Sequence, residues 1–179
     1  MRHLPVGLLA LAATACSGAE PTPIDETPPV ATLIGVRPHD GVVALDAGCA
    51  AGRAERCDGV DDDCDRRIDE GCPGAGAGAL EVAAAWSGPA ELRLALIGPA
   101  DARIEGPPAG ACGTANGVAR LATAPPSAGA WRLRVERIRA CGEGPVTVSA
   151  SVAVGGQAHG PYTLALAGDA GDLLTLVWE

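Results

Sequence analysis

The chain contains no lysine and no phenylalanine, and its 179 residues include one tyrosine, one methionine and three histidines. Each scarcity excludes something. His39 falls in a proline-rich stretch and His159 in a glycine-rich turn, and neither stands near a nucleophile signature, so general-base or covalent catalysis has no support. No glycine-rich phosphate cradle, HExxH or metal triad is present either, and the chain is expected not to be an enzyme. Trp86, Trp131 and Trp178, with Tyr162, are too sparse for an aromatic sugar platform, and the three tryptophans fall in phase with apolar positions, which marks them as core. All thirteen basic residues are arginines, a pattern attributed to GC-rich coding. With a net charge of −9 and a pI near 4.7, nucleic acid is not an expected partner. Long apolar runs are missing too: Leu4 to Ala13 is too short to span a bilayer.

That short run has another use. Arg2, the apolar stretch and the small residues Ala13-Thr14-Ala15 make residues 1–15 read as an export signal. Cys16 follows, then Ser17, Gly18 and a polar tract, which resembles a bacterial lipobox with Ala13 where leucine is usual. The resemblance implies lipidation of Cys16, a membrane link through that lipid, and a place in the cell envelope, at the outer membrane or in the periplasm. Ordinary cleavage after Ala15 would instead release a soluble protein with a free thiol. Cysteine parity favours the lipid: of seven cysteines, setting Cys16 aside leaves Cys49, Cys57, Cys64, Cys72, Cys112 and Cys141. An even set in an exported chain implies disulfides in an oxidising compartment, although six cysteines allow fifteen pairings. Residues 16–45, with Pro21, Pro23, Pro28, Pro29 and Pro38, read as an extended tether. Within them Val30 to Val36 is apolar enough for a short strand, whose place in any later sheet is open.

Residues 46–73 form the sharpest feature. Positions 46 to 72 hold nine acids and four arginines, a net of −5 out of the chain's −9. Two carboxylates 4 Å apart in water cost each other about 1 kcal/mol, and more where solvent is excluded. A folded arrangement therefore calls for a cation, a crosslink or full exposure. Gly48, Gly52, Gly59 and Gly71 interrupt any regular element, so the stretch reads as a loop-built knot tied by Cys49, Cys57, Cys64 and Cys72. Inside it Asp61, Asp63 and Asp65 alternate as D-x-D-x-D, the spacing of the first three side-chain ligands of a calcium loop. In that register Arg67 supplies a carbonyl and Asp69 the ninth position. Arg66 takes the sixth place, which favours glycine, and Cys72 the twelfth, which favours a bidentate glutamate. Glu70 or Asp58 is then needed to complete the shell, and binding is expected to be weak. The bland reading, a repulsion-extended acidic spacer, stands beside it.

The segment CDGVDDDCDRRIDEGC resembles the metal-binding motif of MopE-type bacterial surface proteins, close to C-D-G-x-D-N-D-C-D-G-x-x-D-E-G-C. The match falls on Cys57, Asp58, Gly59, Asp61, Asp63, Cys64, Asp65, Asp69, Glu70, Gly71 and Cys72. It departs at Asp62, usually asparagine, and at Arg66, usually glycine. The resemblance implies a metal site, and the family's name implies copper. The residues favour calcium: no histidine lies between His39 and His159, the only methionine is Met1, and oxidised cysteines offer no thiolate. The expected ligands are Asp58, Asp61, Asp63, Asp65, Asp69 and Glu70.

After the flexible joint Pro73 to Ala79 the pattern changes. Leu92, Leu94 and Leu96 alternate with polar residues or alanine, as do Trp131, Leu133 and Val135, and again Val146, Val148, Val152 and Val154. This period of two, with glycine and proline between segments, predicts a sandwich of seven or eight strands over residues 79–179. Two stretches, 86–104 and 127–154, resemble the jelly-roll modules of prepeptidase C-terminal type. That resemblance implies a second calcium site in the strand containing Glu91, at which Arg93 stands in the way. Cys112 and Cys141 are expected to bridge a long loop to the segment after Trp131. The expected fold class is thus mainly β, a jelly-roll-like sandwich preceded by a small disulfide-rich acidic loop module.

The expected function is that of a lipid-anchored, non-catalytic envelope protein. Its knot is ordered by calcium, and its sandwich meets an unknown protein or glycan at the cell surface. The competing expectation is an adhesion or carbohydrate-binding module in which the knot is only a spacer.

Overall fold

The computed structural model describes residues 31–46, 48–73, 75 and 79–179. The export signal, Cys16 and much of the tether lie outside the described residues. Ten strands follow one another: β1 (Leu33–Pro38), β2 (Val43–Ala44), β3 (Leu80–Ser87), β4 (Ala90–Ile97), β5 (Arg103–Glu105), β6 (Asn116–Thr123), β7 (Gly129–Ala140), β8 (Val146–Val154), β9 (Gln157–Leu166) and β10 (Ala170–Trp178). They form two five-stranded antiparallel sheets, ordered β1-β10-β7-β4-β5 and β2-β9-β8-β3-β6. No α-helix occurs among the described residues. The chain is mainly β, a two-sheet sandwich with a disulfide-tied acidic loop module.

The alternation of the sequence becomes the two inner faces. Leu92, Leu94 and Leu96 of β4, Trp131, Leu133 and Val135 of β7, and Leu174, Leu176 and Trp178 of β10 meet Leu80, Val82, Ala84 and Trp86 of β3 and Val146, Val148 and Val152 of β8 in one buried core. Each fully buried leucine or valine contributes about 1.5–3 kcal/mol over leaving it in water. Gly117 of β6 is required by this packing, because a Cβ there would stand 2.2 Å from the Trp86 ring.

The outward positions of the first sheet explain the arginines. Arg93 pairs with Glu105 and Glu136 at 2.8 Å each, Arg103 reaches Glu136 at 2.6 Å and also pairs with Glu105, and Arg132 and Arg134 converge on Asp172 at 2.9 and 2.6 Å. Arg93, expected to stand in the way of a cation at this strand, is thus held by two carboxylates of its own sheet.

Two features differ from the sequence pattern. Residues 33–38 and 43–44, within the expected tether, are sheet edges, and Leu33 to Val36 of the run expected as a short strand supply most of the first. β1 pairs with β10, β2 pairs with β9, and Thr32 exchanges backbone hydrogen bonds with Glu179 at 2.7 and 3.0 Å. Leu33 and Val36 pack against the core, which outweighs the bias of composition, and Pro38 ends an edge strand where a missing N–H costs no ladder bond. The acidic knot is consequently an excursion between β2 and β3 of one sandwich. The second difference is β3, where Glu81 and Ala83 are buried along with the core-facing residues. A strand covered on both faces reads as a continuous apolar run, as Val82 to Trp86 does after Glu81. What covers its outer face is the knot.

Candidate metal centre

Residues 48–73 contain no helix or strand. Two crossed disulfides hold them, Cys49–Cys64 and Cys57–Cys72, each closing a separation of 15 residues, while Cys112–Cys141 ties the β5–β6 loop to the end of β7. Closing a loop of this length contributes about 3 kcal/mol per bridge by restricting the unfolded chain.

The D-x-D-x-D residues fold the loop around themselves. Asp61 accepts backbone N–H bonds from Cys64 at 2.7 Å and Arg66 at 3.0 Å, Asp63 accepts from Asp65 at 3.0 Å, and Asp65 accepts from Arg67 at 2.8 Å. These local bonds are what short acidic side chains offer a turning backbone. Arg66, at the position that favours glycine, adopts φ +76°. The turn thus forms without glycine, in a left-handed conformation that costs a non-glycine residue about 1–2 kcal/mol.

The turns gather the carboxylates into two groups able to hold a metal ion. Glu55, Asp61 and Asp63 form one, Asp63, Asp65 and Glu70 the other, and within each the ligand atoms lie within 4.8 Å of one another. Asp63 belongs to both. Near a protein surface each such pair of charges repels by about 4 kcal/mol at 4 Å, so the arrangement rewards a cation. Glu70 registers the crowding: burial, then the adjacent Asp65, raises its carboxyl above the usual range, and its Oε2 is buried without a hydrogen-bond partner. The donors are all carboxylate oxygens, the choice of a hard cation, and the four nearby cysteines are oxidised.

Four of the six residues expected as ligands, Asp61, Asp63, Asp65 and Glu70, fall in these groups. Asp58 and Asp69 fall in neither. Asp69 is fully buried, where its carboxylate accepts the N–H of Asp58 at 3.1 Å and of Gly59 at 3.0 Å and takes the Arg120 guanidinium of β6 at 2.6 Å. It is a clasp between knot and sandwich. Arg120 also faces Glu81 at 3.8 Å, and Ile68, 3% exposed, is the buried apolar side chain beside the clasp. Asp58 stands 3.8 Å from the Arg56 Nε, and burial raises its carboxyl despite that cation.

Two acids outside the expected set do as much as those within it. Asp62, at the usual asparagine position, is fully buried and held by Arg56 at 2.6 Å, which keeps its carboxyl below the usual range. Glu55 accepts the backbone N–H of Asp62 and Asp63 at 2.9 and 3.2 Å through Oε1 and that of Asp69 at 2.9 Å through Oε2, besides joining the first carboxylate group. Its only sequence signal is an acid just ahead of Cys57, inside the span that the Cys49–Cys64 bridge closes.

With this geometry in hand, comparison of the chain with protein-family models, curated proteins and solved structures yields no match.

Proposed function

We propose that the protein is an exported, lipid-anchored, non-catalytic component of the cell envelope whose knot binds one divalent cation, calcium, in the carboxylate groups that share Asp63. That sharing is the observation that carries the reading: Asp63 stands where either trio can be completed, and the set contains only hard oxygen donors. Three disulfides suit an oxidising compartment. The likeness of residues 57–72 to the MopE-type motif supports a metal, and the absence of histidine, methionine and free thiol from the knot supports calcium over copper. In this reading calcium neutralises Asp61, Asp63, Asp65 and Glu70 and stiffens the outer turn of the knot. Docking at Asp69 and Arg120 supports a knot that works as part of the sandwich rather than as a loose spacer.

Calorimetric titration of calcium into the oxidised full chain, with copper and zinc as controls, tests it. The expected result is saturable calcium binding with a Kd of about 0.1–1 mM, the range of extracellular modules, abolished by Asp63→Asn. Absence of calcium heat, or binding that Asp63→Asn leaves intact, would overturn it.

A further inference from the structure

The ion-pair network on the outer face of the first sheet is balanced at one end and unbalanced at the other. Toward β5, Arg93 and Arg103 share two carboxylates, Glu105 and Glu136. Toward β1, Arg132 and Arg134 share one, Asp172, and Arg37 of β1 has no ion pair among the described residues. Three guanidiniums thus stand with a single paired carboxylate, in a chain whose 22 acids outnumber its 13 arginines.

The register brings these groups into one row. Arg37 lies opposite Thr175 of β10, and Thr175 lies opposite Arg132 of β7. Their chain neighbours Val36, Leu176 and Leu133 belong to the core, so alternation turns Arg37, Thr175 and Arg132 outward together. The two arginines are two strands apart, about 10 Å between backbones, a span that two long side chains can close on one small ion.

The hydroxyl between them is held in place, with Thr175 Oγ1 2.9 Å from His39 Nε2. In the Nε2–H tautomer the imidazole donates to Oγ1, and the hydroxyl's own proton remains for an acceptor from solvent. The acid of the group is its least accessible charge: Asp172 is 18% exposed, against 42% for Arg132 and 30% for Arg134, and Arg37 is exposed. An ion arriving from solvent therefore meets guanidinium before carboxylate. We propose that this row binds a small oxyanion of two negative charges, the phosphate dianion class, seated over Thr175 between Arg37 and Arg132. The charge match selects it, because three guanidiniums against Asp172 leave a surplus of two. The planar N–H fork of arginine fits phosphate oxygens in pairs. Inorganic phosphate and a lipid phosphomonoester present those same oxygens.

The test is calorimetric titration of inorganic phosphate into the oxidised full chain in low salt with EDTA, at mildly alkaline pH where phosphate is doubly charged. A Kd of about 1 mM is expected, the strength of two charge-assisted bonds. Arg37→Gln, at an exposed position, should weaken binding about tenfold. Arg139→Gln removes an equal charge from a 68% exposed position at the far end of β7, and should leave binding unchanged. Singly charged nitrate should compete at least roughly tenfold less well than sulfate. The proposal is overturned by absence of saturable phosphate heat, by an Arg37→Gln protein that binds unchanged, by an equal loss in Arg139→Gln, or by nitrate that matches sulfate. Co-sedimentation with phosphatidylcholine vesicles containing phosphatidic acid separates the two sources. Capture that Arg37→Gln reduces assigns a lipid phosphate, binding of free phosphate alone assigns a soluble one, and either supports the site. Calcium is absent throughout, so neither result decides the metal reading.

Discussion

The clasp between Asp69 and Arg120 invites a direct perturbation, Asp69→Asn. The substitution keeps the size of the side chain and one oxygen for the Gly59 N–H, but it removes the charge opposite a guanidinium that is only 13% exposed and 2.6 Å away. Breaking a buried pair by neutralising one partner costs about 3–5 kcal/mol, and Glu81, 3.8 Å from the same guanidinium, should hold the loss to the low end of that range. Both disulfides remain, so the loss should appear as undocking of the knot from β3 and β6, with the sandwich still folded. Urea unfolding should lose about that amount, and hydrogen exchange at the Asp58 and Gly59 amides, which Asp69 accepts, should accelerate most. A cost under about 1 kcal/mol would refute the reasoning. So would loss of calcium binding in a protein whose amides stay protected, because Asp69 would then be a ligand.

Arg66→Gly should raise the stability of the knot by about 1 kcal/mol, because its φ of +76° suits glycine. It should also tighten calcium binding by removing a positive charge beside Asp61; denaturation and calorimetry read both, and a destabilised variant would count against the turn described here. The ion-pair network of the first sheet predicts acid sensitivity. The Arg134 hydrogen bond, with Arg132, holds the Asp172 carboxyl below its usual value, and Arg103 and Arg93 do the same for Glu136 against the upward push of burial. A lowered folded pKa contributes stability that is present above the unfolded value and lost as pH falls through the folded one. The urea midpoint should therefore hold near neutrality and fall below pH ~4, with a smaller fall in Asp172→Asn.

Much of the sandwich was legible because a half-buried strand writes its burial into the sequence with a period of two. Trp131, Leu133 and Val135, and Leu92, Leu94 and Leu96, lie in the core at the places their alternation indicates. For β1 the strand was legible in the apolar run up to Val36 but its place in a sheet was not, and β2 was not legible at all, because both exist by pairing with β10 and β9, more than a hundred positions away. In the knot the spacing of Asp61, Asp63 and Asp65 was informative, since turn bonds between near neighbours depend on spacing. The docking role of Asp69 was hidden for the opposite reason. A linear motif places it ninth in a metal loop, while its partner Arg120 is 51 residues further on, in a strand that no motif includes. Glu55 lay outside the motif's bracket, and the cysteine pairing was combinatorial until distances fixed it.

The bonds between Thr32 and Glu179 have a consequence for how the molecule comes to exist. The first strand to be synthesised, β1, has its partner in the last, β10. During folding β1 must wait as an unpaired strand until β10 has been made, and a contact order this high favours slow closure. The two ends of the fold leave from one point. A circular permutant joining Glu179 to Ala31 and opened at Gly155-Gly156 would convert that last encounter into a hairpin, and should fold faster to the same sandwich.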